Sequence, residues 1–196
     1  MKKNYLNVQR MAFIAIFAAL MCVCAWIAVP SPFSVGTFFT MQTFAIILCG
    51  LVLSPVEALL ASIVYLLLGV VGLPVFSSFG TLYSRLFSPF GGYIFGFILA
   101  PFLISLTKNG LMKLVSGKAM KFVVYIATAI VLGILIIDIP GVIQYMIISG
   151  SDISAAIVPA ALAFLPTDIL KCVLAAIVAI ALEKPLSKIT TRNRVI

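Results

Sequence analysis

The sequence contains no histidine, and only five of its 196 residues are acidic. The lack of histidine excludes His-ligated metal sites, Ser-His and Cys-His nucleophile pairs, and the usual pH switch near neutrality. Charged residues make up 9% of the chain while hydrophobic residues make up 64%, and the mean hydropathy is +1.29. These proportions exclude an ordinary soluble globular domain.

Two further kinds of functional motif are missing, a nucleotide-binding loop and a cysteine-based metal or redox site. No segment matches the G-x-x-x-x-G-K-[ST] pattern, because Gly117-Lys118 is followed by Ala119, so the chain has no ATP-binding P-loop of its own. The cysteines lie inside apolar runs at spacings that match no zinc or redox motif, and we interpret them as small hydrophobic residues: Cys22, Cys24, Cys49 and Cys172. We therefore predict no catalytic residues, no metal site and no enzymatic activity.

What the sequence does contain is a series of apolar runs. Six spans of about 20 residues would use roughly 120 positions and leave connections of about 11 residues, with no room for a soluble domain. We therefore predict an all-α integral membrane protein with six transmembrane helices, forming one membrane domain over 1–196. The runs lie at about 11–29, 40–53, 56–71, 92–106, 122–148 and 159–182.

Three local signals refine this prediction. Ser54-Pro55-Val56-Glu57 has an N-cap residue, a proline at the first helical position and a reciprocating glutamate, so it predicts a helix that restarts after a tight turn. The second run is short for a full span. The fifth contains Pro140-Gly141, which predicts a kink or break. Five-span and interrupted-helix variants therefore stay open.

Basic residues collect on one predicted side of the membrane. The N-terminal tail, the fourth-to-fifth connection and the C-terminal tail carry 11 of the 13 Lys and Arg residues. Because Lys and Arg accumulate in cytoplasmic segments beside spans, both termini are predicted to be cytoplasmic. The opening run is interpreted as a retained helix rather than a removed signal peptide. The net charge of +8 is thus explained by topology, and no nucleic-acid partner is expected.

Two basic residues depart from this distribution, Arg85 in the third-to-fourth connection and Lys171 inside the sixth run. A charge at the centre of a membrane helix costs about 2.5 to 3.5 kcal/mol, so it normally faces a polar cavity or a partner. Asp168 lies on the same helical face three residues before Lys171, where the pair can offer an acceptor and donors to a ligand. The alternative is a salt bridge that only fixes helix packing.

The depth of this pair can be counted from the predicted cytoplasmic boundary near Glu183. At about 1.5 Å per residue, Asp168 lies roughly 22 Å and Lys171 roughly 18 Å from that face of a core about 30 Å thick. Pro166 predicts that the helix begins or bends just before the pair, which brings free backbone N–H groups close to it. With Arg85 on the same side, we predict an outward-facing pocket for a small polar or anionic solute.

The connection over 69–93 that carries Arg85 is too apolar and too rich in Gly and Pro for a solvated hairpin. Backbone of this kind is tolerated at membrane depth where it is buried in protein or lines a cavity. We therefore predict a re-entrant-like loop that folds back over the pocket between the third and fourth helices. Its aromatic residues either bind an apolar ring or anchor the helices at the interface.

Two further features lie within the runs. Ala15 and Ala19 form a small-x-x-x-small pair that lets another helix approach closely, which is either a partner's helix or one of the protein's own. Asp138, the remaining intramembrane acid, stands just before Pro140. We interpret Asp138 as a partner for backbone groups freed by the break and assign it no ligand role.

Five short motifs follow one another over most of the chain. They are Pro32-Phe33, Met41-Gln42-Thr43, Gly72-Leu73-Pro74-Val75-Phe76, Pro89-Phe90-Gly91-Gly92-Tyr93, and Phe164-Leu165-Pro166-Thr167-Asp168 with Lys171. In these motifs, their order and their approximate spacing, the sequence resembles the biotin-specific substrate-binding (S) components of energy-coupling factor (ECF) transporters. One departure is Thr167, where the family more often has glycine, which affects the fine geometry of the local turn.

The resemblance implies a multi-pass protein of the bacterial cell membrane that captures biotin from outside with high affinity and uses no cofactor. It also implies four kinds of partner: biotin, the lipid bilayer, a transmembrane coupling subunit and two ATP-binding-cassette ATPases. Ala15 and Ala19 match the helix that docks on the coupling subunit. The residues predicted to bind the substrate are Asp168, Lys171, Arg85, Gln42, Phe79, Gly80, Tyr83, Phe90 and Tyr93.

Biotin suits these residue types, although the residues alone do not decide which charge meets which end of the ligand. Its ureido ring has two N–H donors and one carbonyl acceptor, its thioether ring suits aromatic walls, and its carboxylate suits Arg85 or backbone N–H groups. Two alternatives stay open: a carrier for another small vitamin, and a proton-coupled secondary transporter in which Asp168 titrates. An intramembrane enzyme is disfavoured because no nucleophile, base or metal set is present.

Overall fold

In the computed structural model, residues 8–30 and 38–192 are described, with side chains up to residue 186. The chain is mostly helical over these ranges. The helices are α1 (Val8–Trp26), α2 (Gln42–Val52), α3 (Pro55–Val70), α4 (Leu82–Leu86), α5 (Tyr93–Leu111), α6 (Lys118–Ser149), α7 (Ile153–Ile157) and α8 (Leu165–Arg192), with a 3-10 turn at Ser77–Phe79 and a π-helical turn at Val158–Leu162.

Within the described ranges, four helical stretches are long and apolar enough to cross a membrane: α1, α5, α6 and the stretch Ile153–Leu186, which joins α7 to α8. The helices α2 and α3 are apolar but shorter. At about 1.5 Å per residue, the 11 residues of α2 cover roughly half of a 30 Å hydrocarbon core. The structure is therefore that of a helical membrane protein, while the count of six spans stays a prediction.

The predicted all-α class needs one addition, a two-stranded antiparallel sheet after α1. Strand β1 (Ala28–Pro30) pairs with β2 (Phe38–Thr40), with Val29 opposite Phe39. Three-residue strands are too short to show the alternating pattern that reveals a strand in a sequence. The Pro32-Phe33 motif lies outside the described residues.

Two of the local predictions are confirmed. The backbone N–H of Ser54 donates to Glu57 Oε2 at 3.1 Å, as the capping signal before α3 requires. The helix α8 begins at Leu165, so Pro166 stands in its first turn, where a missing N–H costs no helical hydrogen bond.

Of the kink or break predicted at Pro140, the break does not occur. Helix α6 runs without interruption from Lys118 to Ser149, with Pro140 inside it. Helices in membranes tolerate an internal proline because neighbouring groups satisfy the freed backbone. The interrupted-helix variant is therefore excluded for this run, and the interpretation of Asp138 that rested on the break loses its premise.

Helix α2 lies at the centre of the core and packs against α1, α5 and α8. Ala45, Ile46, Ile47 and Cys49 on this helix are completely buried. All four cysteines are buried and free, in agreement with their interpretation as small hydrophobic residues. The position of α2 matters for the site, because Gln42 at its first turn lines a cavity.

The opposite end of α2 is held by polar contacts from α5. Lys108 Nζ donates to the carbonyl oxygen of Leu51 at 2.6 Å, and Ser105 Oγ donates to that of Leu53, also at 2.6 Å. These contacts satisfy carbonyls that have no partner within the helix at its C-terminus. Helix α2 is thus fixed at one end by α5 and presents its other end to the cavity.

Candidate functional site

A cavity of about 330 Å³ lies among α2, β2, the connection between α3 and α5, and the helices α5, α6 and α8. This volume is at the lower end of the range for small-molecule sites. The connection contributes Ser77, Arg85, Ser88 and Phe90 to the cavity wall. The predicted loop is thus part of the wall of the pocket.

The cavity contains the buried pair predicted on the last helix. Lys171 Nζ donates to Asp168 Oδ1 at 2.8 Å, and the two side chains are 9% and 8% exposed. Asp168 stands in the first turn of α8, where the helix dipole favours a negative charge. The ammonium keeps two further N–H donors and the carboxylate keeps a second oxygen, so the pair can bind a ligand that has both an acceptor and a donor.

Thr167 belongs to the turn that starts α8. Its hydroxyl donates to the carbonyl oxygen of Phe164 at 2.8 Å, and the backbone N–H of Asp168 donates to the same carbonyl at 2.9 Å. The hydroxyl at this position therefore adds a contact within the turn that orients Asp168.

Asp138 lies on the same cavity wall, and sequence reasoning missed it. This residue of α6 is 7% exposed and interacts electrostatically with Asp168 and Lys171. Within the part of the chain that the structure describes, no group donates a hydrogen bond to its carboxylate. The signal that could have identified it is that an acid inside a membrane helix is by default a functional candidate.

Arg85 reaches the cavity from α4. Its Nη2 donates to the carbonyl oxygen of Ser77 at 2.6 Å, and the guanidinium carbon lies 5.7 Å from the centroid of the Phe38 ring. Its Nε is buried without a hydrogen-bond partner in the described chain. Burial lowers the pKa of this guanidinium, which reflects the cost of a partly desolvated cation that an anionic ligand group would offset.

The backbone that carries Arg85 is held by neighbouring polar groups. The Nε2 of Gln144 on α6 donates to the carbonyl oxygens of Leu86 at 2.6 Å and Ser88 at 2.9 Å. The Thr81 hydroxyl caps the start of α4 by accepting from the backbone N–H of Ser84. The connection is therefore fixed against α6.

Aromatic rings form much of the remaining wall. Phe90 and Tyr93 are stacked with their centroids 6.3 Å apart, and Tyr93 meets Phe164 edge-on at 6.1 Å. The Tyr93 hydroxyl donates to the carbonyl oxygen of Ala160, which fixes the ring. Other aromatic residues in the wall are Phe38, Phe76 and Phe97. These rings offer an apolar surface to a ligand ring.

Gln42 is buried at the start of α2 and also lines the cavity. Its Nε2 donates to the Tyr65 hydroxyl at 2.7 Å, and that hydroxyl donates to the carbonyl oxygen of Val75 at 3.1 Å. The amide is thereby oriented by α3 and by the following connection. One of its two amide N–H groups is used in this contact, so the second N–H and the carbonyl oxygen are available to a ligand.

The structure brings six of the nine predicted binding residues to the cavity wall and leaves three outside it. Phe79 is 63% exposed and stacks on Trp26 at 5.6 Å, while Tyr83 is 58% exposed. Ser78 and Phe79 have left-handed backbone angles, with φ of 53° and 56°, which carry Phe79 away from the cavity. Gly80 lies behind Arg85, since a Cβ there would be 2.5 Å from Arg85 Nε. These three residues are not part of the cavity wall, and direct contact between them and a ligand stays a prediction.

Several wall residues carried no individual prediction. Small hydroxyl groups on β2, α2 and the connection add donors and acceptors, and aliphatic side chains fill the remaining wall. A sequence gives little sign of them because Ser, Thr and Ile are common in any membrane protein. They are Thr40, Thr43, Ser77, Ser88, Ile94 and Ile137.

The predicted docking pair lies on α1, away from the cavity. Ala15 and Ala19 are both exposed, whereas Ala18 on the inner face of the same helix is buried. The small-x-x-x-small pair is therefore turned outward from the protein's own helices. It is available to a helix of another chain or to lipid.

Comparisons with known proteins agree with each other. The model of the BioY family matches residues 1–188. The chain is 37% identical over 174 residues to the biotin transporter BioY of Thermotoga maritima, covering 86% of this chain and 92% of the relative. It is 33% identical over 177 residues to a probable biotin transporter BioY of Bacillus subtilis, covering 90% and 91%. For a probable biotin transporter BioY of Pyrococcus horikoshii, the identity is 31% over 179 residues, covering 91% and 98%.

The fold is also similar to a solved structure. The crystal structure of the S-component for biotin from an ECF-type ABC transporter superposes with a TM-score of 0.80, covering 94% of this chain and 95% of that one at 20% identity. At this identity the likeness establishes the fold.

Proposed function

Since the chain belongs to the BioY family, we propose that it captures biotin with high affinity as the substrate-binding component of an ECF-type importer. The observation that carries this function is the buried Asp168–Lys171 pair on the wall of a cavity large enough for a small ligand. It is a transporter component, and biotin is its substrate and not a cofactor.

The polar end of biotin fits the pair on α8. The ureido group presents a carbonyl oxygen between two N–H groups, so it requires donors beside acceptors. Lys171 supplies the donors and Asp168 an acceptor, and their mutual hydrogen bond at 2.8 Å holds them in register for one ligand group. A ligand without such a group leaves the buried charges without new partners, which is how the site discriminates.

The other parts of biotin fit the remaining wall. The fused ring system packs against Phe90, Tyr93 and Phe164, while the oxygen of Gln42 offers a further acceptor. Arg85 lines the cavity and receives the carboxylate of the side chain through guanidinium N–H groups that its bond to Ser77 leaves free. Charge-assisted contacts of this kind are the strong ones in such sites.

We propose that the energy for uptake comes from other subunits. The chain has no P-loop, so ATP hydrolysis requires separate ATP-binding-cassette subunits, two of them in the family that the sequence resembles, joined through a transmembrane coupling subunit. The exposed Ala15 and Ala19 on α1 supply a surface on which a partner helix can pack closely.

We also propose the topology predicted by the basic residues. The chain lies in the bacterial cell membrane with six spans and cytoplasmic termini, so that the cavity near the start of α8 faces outward. The connection between α3 and α5 then forms a re-entrant-like cover on the outer side. Several of the terminal cations on which this topology rests lie outside the described side chains.

Equilibrium binding to the purified chain in detergent tests this function. We expect tight binding of biotin and no comparable binding of riboflavin, thiamin or folate. Selective binding of another of these vitamins would contradict the ligand while leaving a vitamin carrier in place. For the coupled system, uptake that survives loss of ATP but collapses with an uncoupler would contradict the importer and favour the proton-coupled alternative.

A further inference from the structure

The cavity wall holds a second carboxylate, Asp138, besides the Asp168 carboxylate that Lys171 pairs with. Asp138 is 93% buried and lines the same wall as Asp168 and Lys171. The Lys171 ammonium already donates to Asp168 at 2.8 Å. No hydrogen bond to the Asp138 carboxylate occurs within the described ranges.

The groups packed around Asp138 do not neutralise it fully. From α8 it faces one negative and one positive charge, Asp168 and Lys171. From α5 it faces Tyr93, whose hydroxyl is engaged with the carbonyl oxygen of Ala160. A buried carboxylate left in this state lacks the donors that such groups normally have. A ligand that displaces solvent from this wall must therefore supply a donor.

On the premise of the proposed function, we propose that Asp138 accepts one of the two ureido N–H groups of biotin. Asp168 accepts the other N–H, and Lys171 donates to the carbonyl oxygen between them. Asp138 on α6 and the pair on α8 then hold the ureido group from two helices. In this arrangement Asp138 is a specificity-determining residue that selects for a cyclic urea with both N–H groups free.

Binding of biotin and of its two mono-N-methylated ureido analogues to the purified chain tests this assignment. In the wild type, methylation of the nitrogen that faces Asp138 is expected to weaken binding at least about tenfold. In Asp138→Ala, biotin binding is expected to fall about 10- to 100-fold, and the same methylation is expected to cost less than about threefold. The penalty for methylating the other nitrogen stays as in the wild type.

Two further variants make the test specific. Ile139→Ala, at an exposed neighbouring position on α6, is expected to bind all three ligands as the wild type does. Asp138→Asn retains a carbonyl acceptor and is expected to recover part of the affinity. If the alanine variant does not fold, the asparagine variant carries the same comparison with a smaller difference.

The outcomes separate this inference from the proposed function. Wild-type affinity of folded Asp138→Ala for biotin, or equal methylation penalties in the variant and the wild type, would overturn the role of Asp138 and leave biotin as the substrate. Equal penalties mean that the affinity for all three ligands falls by the same factor, as a purely structural role of Asp138 would cause. Failure of the wild type to bind biotin would instead overturn the proposed function.

Discussion

Four charged side chains provide the strong polar contacts of a cavity otherwise rich in aromatic rings: Arg85, Asp138, Asp168 and Lys171. In a low-dielectric surrounding, each of them costs free energy unless it is paired. Lys171 and Asp168 pair with each other but keep further donors and an acceptor oxygen, and Arg85 and Asp138 also keep hydrogen-bonding groups without a partner in the described chain. All four side chains can therefore contribute to binding a ligand.

Arg85→Ala tests whether the guanidinium receives the ligand carboxylate. We expect biotin affinity to fall about 10- to 100-fold, which corresponds to the loss of a charged hydrogen bond worth about 1.5 to 3 kcal/mol. Biotin methyl ester, which lacks the anionic charge, should bind the variant and the wild type within a few-fold of each other. Competition binding with both ligands measures this.

The ester is the control for a second role of Arg85. The residue also holds the carbonyl oxygen of Ser77 at 2.6 Å, so its removal can loosen the connection. An equal loss of affinity for biotin and for its ester would show that Arg85 acts only through the loop. Such a result would show that Arg85 makes no direct contact with the ligand carboxylate.

At the scale of helices, glycines let α5 and α6 come together beside the cavity. A Cβ on Gly92 would lie 2.0 Å from the carbonyl oxygen of Pro140, and one on Gly96 would lie 2.5 Å from the Cα of Ile137. Both positions need the absence of a side chain because backbone of α6 occupies the space. This close contact sets the position of Asp138 relative to α5.

Gly96→Ala is therefore expected to destabilise the protein. Forcing a methyl group into a packed helix contact costs about 1 to 3 kcal/mol, and the thermal unfolding midpoint in detergent should fall. Gly110→Ala on the same helix is the matched control, since a Cβ there meets nothing within 4 Å; it should be neutral or slightly stabilising. Equal midpoints for the two variants would contradict the packing assigned to Gly96.

The sequence predicts these elements unevenly, for physical reasons. The apolar runs and the Ser54–Glu57 cap are local patterns, so they predict α3 and most of the long helices well. The sequence could not decide between a kink and a break at Pro140, because the packing of α6 against α5 lies outside any local pattern. For the same reason, the sequence could not indicate that Asp138 faces Asp168 and Lys171 from another helix.

The connection between α3 and α5 shows a similar limit. Its composition predicts that it lies against the pocket, and Arg85 and Phe90 do line the wall. The path of its backbone decides which of its aromatic rings also line the wall. The left-handed angles at Ser78 and Phe79 send Phe79 towards Trp26, and residue types alone do not specify such a turn.

For the whole molecule, the candidate binding cavity and the proposed docking surface are separate. The cavity lies among α2, α5, α6 and α8, whereas Ala15 and Ala19 lie on the exposed face of α1. Leucine at both alanines should therefore leave biotin binding unchanged and abolish coupled uptake, because the partner helix can no longer approach closely. Ala127→Leu, at an exposed alanine of α6, is the matched control.

Co-purification with the coupling subunit and biotin uptake measure this prediction together. Loss of both in the Ala15 and Ala19 variant, with the control intact, is the expected result. Normal assembly and uptake would remove α1 from the proposed interface, and an equal defect in the control would show that bulk on any membrane-facing surface is sufficient.

The Asp168–Lys171 pair is the feature on which the proposed biotin site depends most. The most direct measurement is equilibrium biotin binding by the wild type, Asp168→Asn, Lys171→Met and the double variant, with Leu174→Met at an exposed position of α8 as control. We predict tight binding by the wild type and the control, a loss of at least about 100-fold in each single variant, and little further loss in the double variant, as expected for groups that act as one unit. Tight biotin binding by folded Lys171→Met would show that the pair does not make the cavity a biotin site.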